Sequence, residues 1–304
     1  MKIITRTVSA IALAMSLAMP LVASANVEEM ESKGKPNVLI DYFWRSENIP
    51  FAAAEQLRGY VMEGLANTKR AEIIDVDTKQ TLRIEKERRE AGVEAGEDAD
   101  RMKVMAEEGA NFLVDGRITS LVTEKKKYDD GSIYYESKVG FTLKVINPLD
   151  GKTKHTSTFS LGGELLGDNA GSTPEEAVTK AVKKARDGVK SFFQTAFPLF
   201  GLLLEPGEVK DGKVNTAYIS LGDMHGVAKK DKFEVCVVRE IAGRRSIKVI
   251  GEAEVTAVEG DDISAVKIKK NQKELKSAID GGQTIVFKSK PKGEGFGGIV
   301  NKVF

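Results

Sequence analysis

Ile133-Tyr134-Tyr135-Glu136-Ser137-Lys138-Val139-Gly140-Phe141-Thr142-Leu143-Lys144-Val145 alternates residue by residue. Ile133, Tyr135, Val139, Phe141, Leu143 and Val145 fall on one side of an extended chain. Tyr134, Glu136, Lys138, Thr142 and Lys144 fall on the other. Successive side chains of a strand point to opposite faces. The stretch therefore predicts a strand with one packed face and one wet or lightly covered face. A meander forms around it. Asn111 to Thr123 reads as a strand that reaches a turn at Asp129-Asp130-Gly131, and beyond the turn at Asn147 to Gly151 a third strand runs from Thr153 to Gly162.

Upstream, Pro36 introduces Asn37 to Trp44, rich in β-formers and expected as a central strand. Pro50 opens a helix in which Ala54, Leu57, Val61 and Leu65 recur at helical spacing. Ala71 to Val76 predicts a short strand, and Asp77 with Gln80 looks like the cap of a charged helix that ends near Gly92 and Gly96. Its Arg83 to Glu90 run reads as a solvated face. A further helix is expected from about Asp98 to Glu108. Downstream, Thr173 is expected to cap a long helix with Pro174 at its first position and Glu176 completing a capping box, and Val178, Val182, Ala185, Val189 and Phe192 or Phe193 form its buried stripe.

Pro198 and Pro206 bracket a boundary, after which the pattern turns all β. Strands are expected at Val214 to Ser220, Lys232 to Arg239, Ile247 to Val258, Ile263 to Lys269 and Gln283 to Lys288. Five or six short strands in so short a segment suggest a small closed or half-closed barrel.

The first 25 residues read as a secretory signal. Lys2 and Arg6 precede an apolar run from Val8 to Met19, and Ala23-Ser24-Ala25 fits a small-residue cleavage site. Asn26, where a lipoprotein would carry Cys, leaves no expected lipid anchor. The longest later apolar stretch, Ala196 to Leu204, falls far short of the roughly 20 residues a membrane helix needs. The chain has 46 basic and 45 acidic residues. Lys2 and Arg6 leave with the signal, and a near-neutral chain without a basic stripe argues against nucleic acid.

Little points to catalysis. The two histidines, His155 and His225, lie far apart, and Cys236 stands in a strand pattern. A zinc site is therefore not expected. Gly207 to Lys213 has the glycine spacing of a phosphate loop, but Val214 replaces the hydroxyl residue and a strand follows, so a hairpin turn is expected. Asp129-Asp130 and Asp261-Asp262 sit beside glycines and read as turns. Phe43 and Trp44 fit either core packing or a sugar or peptide contact. No catalytic, cofactor-binding or metal-binding residue is assigned.

Leu57-Arg58-Gly59-Tyr60-Val61, Gly109 to Ile118 and Phe141 to Asn147 resemble the family of the curli production assembly/transport component over Asn37 to Phe197. Related folds occur in the periplasmic N-terminal domain of the Tol translocation protein and in outer-membrane activators of penicillin-binding proteins. Ile219 to Gly222, Gly226-Val227 and Asp231 to Val235 resemble the small β-domain of a flagellar ring assembly protein. The curli component implies a pore whose two long hairpins enter the membrane. Here the first insertion point, Glu124 to Gly131, puts charges on both faces, and the second, Gly163 to Ser172, is short and turn-like. The fold inference carries over and the pore inference does not.

The expectation is an α+β chain: signal 1–25, loose start 26–36, a three-layer-like mixed sheet packed with helices at 37–197, a barrel-like domain at 198–288 and a loose tail at 289–304. Its expected role is a non-enzymatic envelope assembly or accessory protein in the periplasm, associated with the outer membrane only through partners. The partner is an unidentified envelope protein, and the resemblance allows a homo-oligomer. Rival readings are an activator or regulator of a peptidoglycan synthase and a hydrolase with an unrecognised site.

Overall fold

The computed structural model describes residues 35–78, 99–162 and 170–291. The signal sequence, the charged helix after Asp77, most of the second insertion point and most of the expected tail lie outside the described residues.

The first half is a mixed sheet. Strands β1 (Asn37–Ile40), β2 (Glu72–Ile74), β3 (Phe112–Lys127), β4 (Ile133–Ile146) and β5 (Thr153–Gly162) lie in the order β2-β1-β3-β4-β5. Pairing is parallel across β2-β1-β3 and antiparallel across β3-β4-β5. A two-residue strand, β6 (Ala170–Gly171), pairs with β4 opposite Tyr135 and Glu136. The expected first strand ends four residues early, at Ile40. The chain then kinks, and Trp44 rejoins the sheet by an isolated bridge to Arg117.

The alternation read from β4 is the packing observed from Val139 to Val145. Ile133, expected on the packed face, is exposed and Tyr135 is half-buried, because among the described residues the core stops short of that end of the strand. Val139, Phe141, Leu143 and Val145 are buried in one core with Ala54, Leu57, Val61 and Leu65 of helix α1 (Phe51–Ala66). Helix α2 (Ala99–Glu107) covers the other face at the β1 end, where Leu39, Tyr42 and Leu113 surround Met105. The expected single long helix is three segments, α3 (Pro174–Lys183), α4 (Ala185–Gly188) and α5 (Lys190–Ala196). Thr173 caps α3 by accepting from the Glu176 amide at 3.2 Å. The Glu176 carboxylate does not complete the box. It accepts instead from the Ser172 amide and hydroxyl and from Lys180.

The second half is a closed antiparallel barrel. Strands β7 (Phe200–Pro206), β10 (Thr216–Ile219), β11 (Lys232–Ile241), β12 (Arg244–Val258), β13 (Ser264–Lys270) and β14 (Ile285–Ser289) close in the order β10-β13-β12-β11-β14-β7. Four register shifts bend its strands, and bulges of this kind let a small sheet close. Its core includes Phe233, Val235, Val255, Val266 and Phe287. Between β7 and β10, β8 (Val209–Lys210) and β9 (Lys213–Val214) form a hairpin whose turn, Asp211-Gly212, has positive φ at both residues. This is the hairpin expected at the false phosphate loop.

Two further elements differ from the expectation. The Pro-bracketed stretch read as a boundary contains a barrel strand, β7, because Pro206 falls at the strand's end, where a missing N–H costs no central ladder bond. Helix α6 (Gln272–Asp280) occupies a segment that carried no assignment, and it buries only Leu275 and Ala278 against the barrel. Two buried residues are too few to show a helical period.

Candidate functional site

Four places concentrate polar, aromatic or exposed apolar chemistry. The first is a closed network behind β1. Arg58, buried on the inner stripe of α1, donates to Glu55 at 2.9 Å and to Asp77 at 2.7 Å. The Tyr42 hydroxyl donates to the other Asp77 oxygen at 2.7 Å, and the guanidinium lies 4.7 Å from the centre of the Tyr42 ring. Burial and the adjacent carboxylate push the Tyr42 hydroxyl pKa upward, so it stays protonated. Each acid faces a base, and the arrangement clamps α1, β1 and the 3-10 turn Val76–Thr78 together. Asp77, read as the cap of a helix that lies outside the described residues, places its carboxylate in this network. The sequence held the clue, since Arg58 lies on the same helical face as Ala54 and Val61.

The second place joins the two halves. Arg70, only 5% exposed, donates through one nitrogen to the carbonyls of Gln194 at 2.9 Å and Phe197 at 3.1 Å, and to the Ser289 hydroxyl at 3.2 Å. Burial lowers its pKa to about 10, against a favourable influence from Asp231 of the barrel. Beside it Lys69 bridges to Asp223 at 2.7 Å. Gly226, at positive φ, lets the barrel approach Thr68, and a Cβ there would meet the Thr68 carbonyl oxygen at 2.3 Å.

The third and fourth places are two projecting β-ribbons. In the first half, β3 and β4 pair out to Lys127 opposite Ile133, whereas the described pairing of β5 reaches only to Lys138. Beyond that point, among the described residues, the ribbon has only the short β6 at its side. Asp130 accepts from the Ser132 amide and hydroxyl to form the tip, and Tyr128 stacks on Tyr134 at 4.2 Å. Lys125 stands opposite Tyr135 and Lys126 opposite Tyr134, so lysines occupy both ribbon faces, and Lys126 pairs with Glu136. In the barrel, β11 and β12 pair as far as Ile241 opposite Arg244, while β14 stops opposite Val237.

Exposed large apolar residues gather on these ribbons. Val122, Tyr128 and Ile133 on the first and Ile241, Ile247 and Val249 on the second are 43–60% exposed. The long outer edge of β5 pairs with no strand among the described residues.

The residues screened for chemistry are dispersed. His155 stacks on Phe192 at 4.9 Å, and burial lowers its pKa. His225 accepts from the Gly222 amide in a turn of the barrel. Cys236 is buried, and its thiol is pushed up to about 11 by desolvation, which suppresses the nucleophilic thiolate. Phe43 is core, while Trp44 is half-buried with the Arg117 guanidinium 4.0 Å from its ring centre. Among the described residues no group of three or more His, Cys, Asp or Glu is placed to hold a metal. No described helix is long and apolar enough to cross a membrane.

No protein-family model matches the chain, and no curated protein matches it. Solved structures overlap about half of it. PelC, crystallised as a dodecamer from Paraburkholderia phytofirmans, is 15% identical over 50% of this chain and 86% of that one, with a TM-score of 0.32. Lipoprotein GNA1162 from Neisseria meningitidis is 10% identical over 42% and 83%, at 0.32. The C-terminal domain of LpoB from Escherichia coli is 10% identical over 45% and 92%, at 0.28. Overlaps at such TM-scores say nothing of function.

Proposed function

We propose that this chain is a non-enzymatic accessory or assembly protein of the cell envelope, exported with cleavage after Ala25 and acting in the periplasm through protein–protein contacts. The observation that carries the reading is the placement of exposed apolar side chains on two β-ribbons that reach beyond the described pairing of their neighbouring strands. Apolar clusters on projecting elements mark docking surfaces, because a strand pair offers both side chains and free backbone edges to a partner. The sheet half, 37–197, and the barrel, 198–288, act as two docking modules. The assembly served is related to curli-type secretion, on the resemblance carried by Leu57 to Val61, Gly109 to Ile118 and Phe141 to Asn147. The chain reaches the outer membrane only through its partner.

Crosslinking in intact cells, followed by identification of the captured protein, tests this. The expected result is a secretion or surface-fibre component whose capture is lost in an Ile133→Lys variant. Capture of a cell-wall synthase would replace the assembly reading with regulation of that enzyme. Retention of the chain in the cytosol would overturn the proposal.

A further inference from the structure

The barrel carries two surfaces of opposite character. One is the free part of the β11–β12 ribbon. Ile241 and Arg244 are cross-strand partners and Arg239 lies two residues before Ile241, so the three share one ribbon face. That face presents two cations around an exposed isoleucine. The acid in this ribbon, Glu240, stands opposite Arg245 on the other face.

The other surface is a shallow open cleft lined by Leu204, Glu205, Tyr218, Glu259 and Ile263. Glu205 and Tyr218 are cross-strand partners on β7 and β10, and the neighbours Ala217 and Ile219 point into the core. Tyr218 therefore faces outward. Glu259 and Ile263 flank the turn between β12 and β13, where Asp261 and Asp262 add further negative charge. Leu204 and Ile263 are exposed. The lining thus holds two carboxylates, two exposed aliphatic side chains and one aromatic ring, and no cation.

The two surfaces complement each other in charge and in apolar content, yet one copy cannot bring them together. The ribbon tip lies at the start of β12 and the cleft reaches past its end. The 15 residues of that strand place them about 45 Å apart along its length, at roughly 3.3 Å per residue. They also sit at opposite ends of a closed barrel, which cannot fold back on itself.

We propose that barrels of successive copies of this chain associate head to tail, the Arg239–Ile241–Arg244 face of one copy seated in the Glu205–Tyr218–Glu259 cleft of the next. The inference rests on the docking reading above and names one occupant, a second copy of the chain. A contact between two different surfaces is heterologous, so it builds a ring if its rotation closes and a filament if it does not.

Sedimentation velocity of the purified mature chain over a range of concentrations tests it. In about 0.01 M salt, where charges act over about 30 Å, the wild-type mass should rise with concentration. In about 1 M salt, where they act over about 3 Å, association should weaken at least about tenfold. An Arg239→Glu/Arg244→Glu chain and a Glu205→Lys/Glu259→Lys chain should each be monomeric while melting as the wild type does. Mixed in equal amounts, they should associate again, because each acidic ribbon then meets a basic cleft and each basic ribbon an acidic one. A wild type that stays monomeric in low salt would overturn the proposal, as would reversals that leave association intact or a mixture that stays monomeric. Photocrosslinking from position 241 in cells separates this failure from failure of the docking reading. Capture of a different protein there sinks self-association alone, and capture of nothing sinks both.

Discussion

Arg70→Ala is the sharpest perturbation of the joint between sheet and barrel. Two hydrogens on one guanidinium nitrogen serve three acceptors, the carbonyls of Gln194 and Phe197 and the Ser289 hydroxyl. Hydrogen bonds from a charged donor contribute about 1.5–3 kcal/mol each, so the two hydrogens supply about 3–6 kcal/mol. Against this stands desolvation, which lowers the Arg70 pKa from 12.5 to about 10. At roughly 1.4 kcal/mol per pKa unit this costs about 3.5 kcal/mol. Truncation removes both terms, and also removes the packed alkyl stem and leaves buried acceptors unmet. The net loss is about 2–4 kcal/mol, or about 4–16 °C in melting midpoint for a chain of this size. Urea unfolding should be followed by two probes. Trp44, the single tryptophan, reports the sheet half, and far-ultraviolet circular dichroism reports both halves. The two transitions should coincide in the wild type and separate in the variant, since each half keeps its own core. A variant with an unchanged midpoint and coincident transitions would refute the assignment of Arg70 as the joint's anchor.

Gly116→Ala should cost about 1–3 kcal/mol by overpacking, because a Cβ at Gly116 would lie 2.3 Å from the Phe43 ring. Adding Phe43→Leu should return part of that loss in a thermal melt, and two losses that simply add would contradict the contact. The Glu252 carboxylate is held down at about 2 by hydrogen bonds from Lys270 and then Lys290. Its folded value is depressed, so its contribution is fully present above the ordinary 4.5 and is lost as pH falls towards about 2. Glu252→Gln should flatten barrel stability across that window, and an unaltered pH profile would count against the bridge. The mature chain should form no channels in planar bilayers, because each Lys facing lipid at mid-bilayer costs about 2–4 kcal/mol and lysines occupy both faces of the β3–β4 ribbon. Single-channel currents that vanish on deletion of Lys125 to Ser132 would show a pore after all.

Where one periodic signal dominated, the sequence was legible. The β4 alternation, the α1 stripe and the Thr173 cap each follow from local chemistry that tertiary packing did not override. The ends of elements were harder. β3 runs four residues past Thr123 because its last turns of ladder are held by pairing with β4 across charged residues, which carry no hydrophobic period. β7 was hidden between two prolines, and α6 by its short buried stripe. The polar anchors were least visible. Arg58 shows its burial by its helical face but not its partner Asp77, and Arg70 looks like an ordinary surface residue until Gln194 and Ser289 are brought to it from distant parts of the chain. The ribbons were half legible: Glu124 to Gly131 read as a wet hairpin, but its reach past the described pairing of β5 depends on a distant strand.

The central claim, that this chain works by docking through its two ribbons, is tested most directly by site-specific photocrosslinking in living cells. Photoreactive residues placed one at a time at Tyr128, Ile133, Ile241 and Ile247 would sample the ribbons. Leu149, 83% exposed in the turn between β4 and β5, is a stringent control, being more exposed than any of them. The account predicts discrete crosslinked species from ribbon positions and none from Leu149. Equal crosslinking at Leu149, or silence at all four ribbon positions in cells where the chain is exported and folded, would contradict it.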